Sequence, residues 1–439
     1  MNRKERMELA HWAVAQAKKS GADEVAVNVS TNRNIQVEYR DGKLEKLKES
    51  KESSLSLTVY VAQRYSSNST NDTRKESLSS LIPESVSMTK YLSQDPFRSL
   101  PDPKYYEGQK KVDLQIYDPD YEKVTPEQRV KIAAEIEKIA SSQSDKIISC
   151  TAGYSDTFFE STKVHSNGFE GENRGTVFSA GAEVTVQDEK SRPEDWDWRT
   201  VRFHKDLPAS EVLAKSAVKR ALNKLGQVKL QSGLYDMVVE NRVNWRIFYS
   251  LSEPMSGQAL QQKSSFLEGK LGQKIGSDSL TLIDDPFIFS GLGSRLFDGE
   301  GMAAKRRVIL DKGVLKGYYI DTYYGKKLGM EPTSGSPANI ITDYGTKSLD
   351  EMVKSMKKGI LVTGFIGGNS NSTTGDFSFG IIGMYVENGE IVKPVHEMNI
   401  SGNFTEFLNQ LVEVGNDPYI YSSLRLPSLY FKDVQFSGI

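Results

Sequence analysis

The chain has 439 residues, of which 38% are hydrophobic and 26% charged, and its formal net charge at pH 7 is −2. This composition is ordinary for a globular protein, the length predicts two to three domains, and the near-neutral charge argues against nucleic acid or an anionic membrane as a partner. There is no apolar run of about 18 residues, no signal-peptide core and no second cysteine beside Cys150, so we expect a cytoplasmic protein that neither spans a membrane nor forms an internal disulfide.

The amino-terminal part predicts an α+β domain that opens with an amphipathic helix over residues 3–19, where apolar residues recur at helical spacing. Alternating apolar and polar residues then predict three strands, at Val25–Val29, Ile35–Tyr39 and Leu55–Val61. Asp41-Gly42 predicts a hairpin turn of the type that needs positive φ. We interpret the charged run Lys43–Glu52 as a solvated hairpin arm rather than a basic binding patch, and residues 64–73 as a polar loop.

A second unit of the same kind follows a predicted helix near residues 74–92. Thr125-Pro126-Glu127-Gln128 carries the signals of a helix start, with a capping box and a proline at the first helical position. Three further strands are predicted, at residues 147–155, 158–165 and 175–187. Because the order helix, strand, strand, strand appears twice, we interpret it as an internal duplication. The segment RPEDWDWR predicts a loop whose Trp196 and Trp198 either form an exposed contact surface or pack on their own domain.

The second half of the chain predicts a different kind of domain. A helix over Asp206–Leu225 precedes the boundary, and a strand at Tyr235–Val239 and a helix over residues 241–255 follow it. Short strands with Gly or Asn turns then predict an antiparallel β-rich body, either a sheet or barrel-like, with one helix that begins at the capping box Ser348–Glu351. The predicted domains are an N-terminal α+β domain with duplicated helix-plus-three-strand units, residues 1–228, and a C-terminal β-rich domain, residues 229–439.

The most distinctive stretch is Gly257–Gly301, here called the central segment, which holds eight glycines and six carboxylates around one apolar run. That run, Leu280–Ile283, is closed by Asp284-Asp285-Pro286 and predicts a buried strand that ends in a sharp turn. Four carboxylates of the segment either surround a hard cation or, as we favour, accept hydrogen bonds in turns; they are Asp284, Asp285, Asp298 and Glu300.

No catalytic or metal-binding set is recognisable from residue types and spacing alone. The four histidines are far apart along the chain, at His11, His165, His204 and His396. With Cys150 isolated as well, no zinc site can be assembled from the sequence. No Gly-x-Ser-x-Gly elbow marks a serine nucleophile. By its own residues the chain is a two-domain α+β protein without a visible active site.

Several separated blocks stand in order along the second half of the chain: SSFLEGKLGQ, IDDP, GLGSRLFDGEG, GVLKGYYIDTYYGKKLG, TTGDFSFGIIGMYVENGEI and the VGND of Val414–Asp417. Together they resemble the TldD/PmbA metalloprotease family, also called TldD/TldE or modulators of DNA gyrase. D-type members of that family carry a zinc-binding HExxxH helix just before the central segment. The corresponding positions here are Phe248, Tyr249 and Glu253, so both histidines and the glutamate base are replaced.

The cysteine that the family places near the C-terminus as a third zinc ligand is also missing, from YIYSSLRLPSLYF. The resemblance is therefore to the E type, the PmbA-like subunit without the metal site. It implies no catalytic residue and no metal in this chain, with zinc expected only in a D-type partner. The central segment, including Gly257, Asp284, Asp285, Asp298, Glu300 and Gly301, is then expected to be structural.

The function that the resemblance implies is that of a non-catalytic subunit in a zinc metalloprotease complex that cleaves peptides or unfolded proteins. Its partner would be a TldD-like D-type subunit, in a heterodimer. The alternative is a stand-alone homodimer that acts as a peptide-binding module or as a cryptic hydrolase. A third possibility, a modulator of DNA gyrase, rests on the older family name, and the mild acidity argues against a nucleic-acid partner.

Overall fold

The computed structural model describes residues 1–189 and 191–439. Its helices are α1 (Arg3–Lys19), α2 (Lys75–Thr89), α3 (Pro126–Ser141), α4 (Ser210–Leu222), α5 (Trp245–Ser252), α6 (Gly257–Gln261), α7 (Thr322–Leu328), α8 (Leu349–Ser355) and α9 (Phe404–Phe407). Its strands are β1 (Glu24–Arg40), β2 (Lys43–Val61), β3 (Arg64–Thr70), β4 (Ile147–His165), β5 (Glu170–Val186), β6 (Glu194–Val201), β7 (Gly233–Val239), β8 (Leu282–Asp284), β9 (Arg307–Asp311), β10 (Val314–Leu315), β11 (Ile340–Ile341), β12 (Lys358–Ser370), β13 (Asp376–Glu387), β14 (Glu390–Asn403), β15 (Leu411–Val414) and β16 (Leu429–Ser437). None of these helices has the length and apolar character needed to cross a bilayer.

The amino-terminal sheet has six antiparallel strands in the order β3-β2-β1-β4-β5-β6. Each half of it comes from one helix-plus-three-strand unit, and the two units meet where β1 pairs with β4. The predicted duplication is confirmed, and each unit is followed by a further helix, α2 or α4. The turn between β1 and β2 is confirmed as well, since Asp41 and Gly42 both have positive φ, 48° and 70°.

Six predictions for this sheet, four strands and two loops, are wrong in extent or type. The segments Val25–Val29 and Ile35–Tyr39 belong to one continuous strand, β1, and residues 147–155 and 158–165 form the single strand β4. Residues 64–73 are not a loop, because most of them form the edge strand β3. Its polar side chains suit an edge, where hydroxyl groups bond across to β2, as Ser69 does to Ser56 at 2.8 Å. From Glu194 onward the segment RPEDWDWR likewise lies in strand β6 rather than in a loop.

The two helix pairs cover the same face of the sheet at opposite ends of its strands. Val27 lies in the core under α1 and α2, and Val37 lies in the core under α3 and α4. Both occupy odd positions of β1, so their side chains leave the sheet on the same side. The opposite face therefore carries the even positions, which are mostly polar near the start of β1 and the end of β2, such as Asn28, Ser56 and Thr58.

The carboxy-terminal half contains a closed five-stranded barrel in the order β14-β13-β12-β7-β16, closed by pairing of β14 with β16, and β15 extends it. The predicted α+β class with a β-rich, barrel-like second domain is confirmed. One pairing is parallel, between β7 and β12, because α5, α6 and the central segment form a long crossover between them. A small second sheet, β10-β9-β8-β11, is built around the apolar run of the central segment.

Candidate functional site

Helix α5 carries the positions at which the family resemblance places the catalytic motif. The predicted helix over residues 241–255 is shorter at both ends, spanning Trp245–Ser252. Its start is fixed by two side chains. Asn244 donates to the carbonyl of Pro427 at 2.7 Å. The Arg242 guanidinium donates to the carbonyl of Trp196 at 2.7 Å and lies 4.2 Å from the centre of that ring. The helix is thus tied both to strand β6 and to the chain near its C-terminus.

The three motif positions point into different surroundings. Phe248 is 2% exposed and belongs to the large core of the C-terminal domain. Tyr249 is 54% exposed, with its ring 5.9 Å from that of Trp245. Glu253 follows the last helical residue and is exposed. Burial of one position and exposure of the next follows from the 100° step between adjacent helical residues.

These residues do not fit a zinc ion. Zinc in proteins takes cysteine, histidine or carboxylate ligands, and only Glu253 of the three positions offers one. A phenyl ring occupies the first histidine position, and a phenol occupies the position of the glutamate base. Across residues 1–189 and 191–439, no group of three or more His, Cys, Asp or Glu side chains is placed to hold a metal ion.

The aspartates at the turn after β8 accept hydrogen bonds on both carboxylate oxygens. Asp284 is buried, and it accepts from the backbone N–H of Ala338 at 2.8 Å and from Arg307 at 3.0 Å. Asp285 accepts from the N–H of Phe287 at 2.9 Å and from Arg306 at 3.2 Å. These bonds hold the turn closed and join β8 to β9 and to the segment before β11.

The second pair of carboxylates organises a tight turn and the start of α7. Asp298 accepts from the backbone N–H groups of Glu300 and Met302 at 2.9 and 3.0 Å. Its other oxygen, Oδ2, is buried and accepts no hydrogen bond from the described residues. Glu300 Oε2 accepts from the backbone N–H and the hydroxyl of Thr322 at 2.9 and 3.0 Å. That these carboxylates stabilise turns and bind no cation stays a prediction.

Two glycines of the central segment are required by close approach. A Cβ on Gly257 would lie 2.8 Å from the Cβ of Tyr324, so this glycine lets α6 pack directly on α7. Gly301 has a φ of +84°, and a Cβ there would lie 3.0 Å from atoms of the Phe169 ring in the amino-terminal domain. Both positions support the expectation that the segment is a scaffold in which backbones meet.

Glu300 and the neighbouring Gly299 also border a cavity of about 310 Å³ between the two halves of the molecule, here called the polar cavity. Its floor is the helix-free face of the amino-terminal sheet, and its lid comes from residues 98–101, the central segment and Tyr323. The floor side chains are hydrogen-bonding groups on three neighbouring strands: Asn28, Ser56, Thr58, Tyr60, Lys163 and His165.

Burial changes the proton affinities of the groups around this cavity. Burial, together with the charges of Asp298 and Asp321, raises the pKa of Glu300 from 4.5 to about 7. Burial lowers the pKa of Lys163, although the charges of Asp298 and Glu300 oppose that shift. Burial and the Lys163 charge lower the pKa of His165 to about 3, and its Nδ1 lies 3.0 Å from the Tyr106 hydroxyl. Shifted pKa values that gather in one cleft are typical of functional sites.

Sequence reasoning did not bring Lys163 and His165 together with Glu300. The signal that was available is the alternation along β4, where buried Val164 assigns its two neighbours to the opposite face. The contact of that face with the central segment, more than a hundred residues later, has no local signal. The aromatic segment in β6 was interpreted as a loop, yet Trp196 instead helps to position α5 through Arg242.

Fold and chain-wide similarity define the class of this protein. Models of the PmbA/TldA metallopeptidase family match it in three consecutive parts, domain 1 over residues 25–89, the central domain over 119–225 and the C-terminal domain over 232–438. The metalloprotease PmbA of Escherichia coli O157:H7 is 30% identical over 430 residues, which cover 97% of this chain and 94% of that protein. The chain therefore belongs to the PmbA/TldD family of metalloprotease-like proteins.

Two solved structures share the fold of this chain. A Bacteroides thetaiotaomicron protein whose name describes it as a modulator of DNA gyrase is 41% identical, and the match covers 100% of both chains with a TM-score of 0.97. TldE from Thermococcus kodakarensis is 21% identical, with 98% of this chain and 100% of that chain covered at a TM-score of 0.87. The second likeness is one of fold.

Proposed function

We propose that this protein is a non-catalytic, E-type subunit that completes a zinc metalloprotease whose metal and catalytic base belong to a D-type partner. The observation that carries the proposal is the state of helix α5. The position of the first motif histidine is Phe248, packed in the C-terminal core. Exposed Tyr249 and Glu253 stand where the base and the second histidine would be.

An intact scaffold around a replaced motif supports a subunit role over simple loss of function. The carboxylates and glycines of the central segment make specific contacts, such as Asp284 with Arg307 and Gly257 with Tyr324. These contacts keep the crossover that carries α5 in one defined conformation. We infer that the surface around α5 faces the partner and lends a wall to its substrate chamber, and that the substrate is a peptide or an unfolded segment.

Reconstitution with a D-type partner tests the proposal. We expect the purified chain to hold no stoichiometric zinc and to leave peptides intact. Mixed with a D-type subunit, it should form a complex that cleaves them and that contains zinc only in proportion to the D-type subunit. Metal analysis, size-exclusion chromatography and a peptide-cleavage assay measure the three outcomes. Affinity purification from the host, read by mass spectrometry, determines whether such a partner accompanies the chain.

Matched variants locate the chemistry within the complex. Tyr249→Phe and Glu253→Gln in this chain should leave cleavage unchanged, whereas replacing the motif glutamate of the D-type subunit should abolish it. One tightly held zinc per copy of this chain would contradict the E-type assignment. Cleavage by the isolated chain that a chelator does not inhibit would instead support the cryptic-hydrolase alternative.

A further inference from the structure

Arg98, at the rim of the polar cavity, is held in place by aromatic rings rather than by a salt bridge with another described residue. Its guanidinium carbon lies 3.5 Å from the ring centre of Tyr323 and 4.8 Å from that of Tyr65, so two aromatic faces fix it. Among the described residues no side chain or carbonyl accepts a hydrogen bond from its guanidinium group, and no carboxylate oxygen lies within 4 Å of that group. The nearby Asp95 is already engaged, with the Tyr323 hydroxyl at 2.7 Å and the N–H of Phe97 at 3.1 Å.

Lys163 brings a second cation to the same cavity from the opposite wall. Its ammonium group donates to the carbonyl of Gly299, and no carboxylate of the described chain lies within 4 Å of it. A planar guanidinium fork and an ammonium that face one cleft, neither of them in a salt bridge with a described residue, suit the capture of a carboxylate or phosphate.

The remaining groups favour a carboxylate over a phosphate. Glu300 lies on the cavity wall with Oε2 bound to Thr322, while its Oε1 receives no hydrogen bond from the described residues. A dianionic phosphate would meet about twice the repulsion from this carboxyl that a singly charged carboxylate meets, and the two cations balance one carboxylate together with Glu300. The hydroxyls of Ser56 and Thr58 on the floor suit the polar remainder of a small organic molecule.

We propose that the polar cavity is a binding site for a small carboxylate-bearing molecule, with Arg98 and Lys163 as the carboxylate receptors and Glu300 facing the same group. The carboxylate is that of a small organic acid or the C-terminal group of a short peptide, and both fit a cavity of about 310 Å³. The site is separate from α5 and does not depend on the role proposed for that helix.

Binding should depend on pH because a bound carboxylate favours the protonated form of Glu300. The charged and titratable groups that act on Glu300 are Asp298 and Asp321 beside it, Lys163 on β4, Tyr60 on β2, and Tyr106. With the pKa of Glu300 raised to about 7, affinity is expected to fall as pH rises above that value. Glu300→Gln, which cannot ionise, should bind with little change between pH 6 and pH 8.

Calorimetric titration of the full chain tests the site, with four probes: alanyl-alanine, its C-terminal amide, succinate and inorganic phosphate. We expect saturable binding of a free carboxylate and an affinity for the amide that is lower by about tenfold or more. If alanyl-alanine binds more tightly than succinate, the ligand is a peptide C-terminus. If succinate binds more tightly, the ligand is an organic acid. Arg98→Gln and Lys163→Met should each weaken the better probe by about tenfold.

Matched controls are Arg3→Gln and Lys4→Met on the exposed face of α1. The side chains of Arg3 and Lys4 are 80% and 85% accessible, and both variants should bind the probes as the wild type does. The comparison of peptide and amide on unmodified protein needs no variant, so misfolding of a variant cannot decide the outcome. Equal affinity for the peptide and its amide, stronger binding of phosphate than of both carboxylates, or no saturable binding of any probe would overturn the proposal.

Discussion

Helix α5 and the polar cavity differ in the surroundings of their side chains: α5 places Phe248 in an apolar core, whereas charged and hydroxyl groups border the cavity. Phe248 borders a small apolar cavity of about 30 Å³, which is also lined by the side chains of Leu251 and Phe431. Between the sheet and the central segment lies a cavity of about 310 Å³ bordered by charged and hydroxyl groups. The difference teaches that Phe248 on α5 serves the apolar core, whereas the charged and hydroxyl groups of the molecule gather at a separate cavity.

The largest expected effect tests the first half of that contrast. Phe248→Ala should destabilise the protein by about 3–5 kcal/mol, because a buried phenyl ring leaves a cavity that its neighbours fill only in part. Tyr249 is the next residue and lies on the exposed side of α5, so Tyr249→Ala should lower the free energy of unfolding by about 0.5 kcal/mol or less. Urea unfolding monitored by circular dichroism measures both. Equal losses in the two variants would mean that α5 does not face the core as described.

The next effect concerns the central segment as scaffold. Asp285→Ala removes the acceptor for the N–H of Phe287 and for Arg306, so we expect a loss of about 1–3 kcal/mol in the free energy of unfolding. Thermal unfolding with and without calcium or magnesium should show the same melting temperature for the wild type. A metal-dependent rise that disappears in Asp285→Ala would instead make this turn a cation site, since a ligand stabilises the state that binds it.

A smaller, pH-dependent effect probes the polar cavity. The pKa of Glu300 rises from 4.5 to about 7 on folding, so the folded state binds more protons between these values and stability falls as pH rises through that range. Glu300→Gln keeps an acceptor for Thr322 and removes the charge. Its melting temperature should exceed that of the wild type by a few degrees at pH 8 and match it near pH 4. An identical pH profile for both proteins would show that Glu300 is not shielded from solvent.

The smallest effect is expected at Glu253. Its side chain is exposed just beyond α5, so Glu253→Gln should change the free energy of unfolding by no more than about 0.5 kcal/mol. Zinc content measured by mass spectrometry should not change either. A drop in bound metal in this variant would be the sharpest evidence against the contrast between the two regions.

The fold was predictable wherever local patterns reflect a buried face. The alternation of Val25, Val27 and Val29 and the capping box at Thr125 each correspond to an element of the structure. Strands β3 and β6 were missed because edge strands tolerate polar and aromatic residues on both faces, which removes the alternation that sequence analysis relies on. The boundary placed near residue 228 stays a prediction.

The site was predictable only in part, and the reason is distance along the chain. The family resemblance alone assigns the motif positions to Phe248 and Tyr249, because the quoted sequence blocks lie within one continuous part of the chain. The meeting of Lys163 with Glu300, and the exposure of Arg98 to the same cavity, depend on how the sheet packs against the central segment. No periodicity within either segment encodes that packing, so these groups become visible only in three dimensions.

The pairing of β1 with β4 has a consequence for how the chain is made. Val25 bonds to the Ser166 hydroxyl, 141 residues later, at 2.9 Å. At ordinary rates of synthesis that interval lasts on the order of ten seconds. During this time the first unit presents β1 as an open edge, and non-local pairing of this kind folds slowly. The long arm Lys43–Glu52 on the neighbouring strand is rich in charge, and charged strands resist edge-to-edge association. We expect this charged arm to limit association of the nascent chain with other chains until the second half of the sheet emerges.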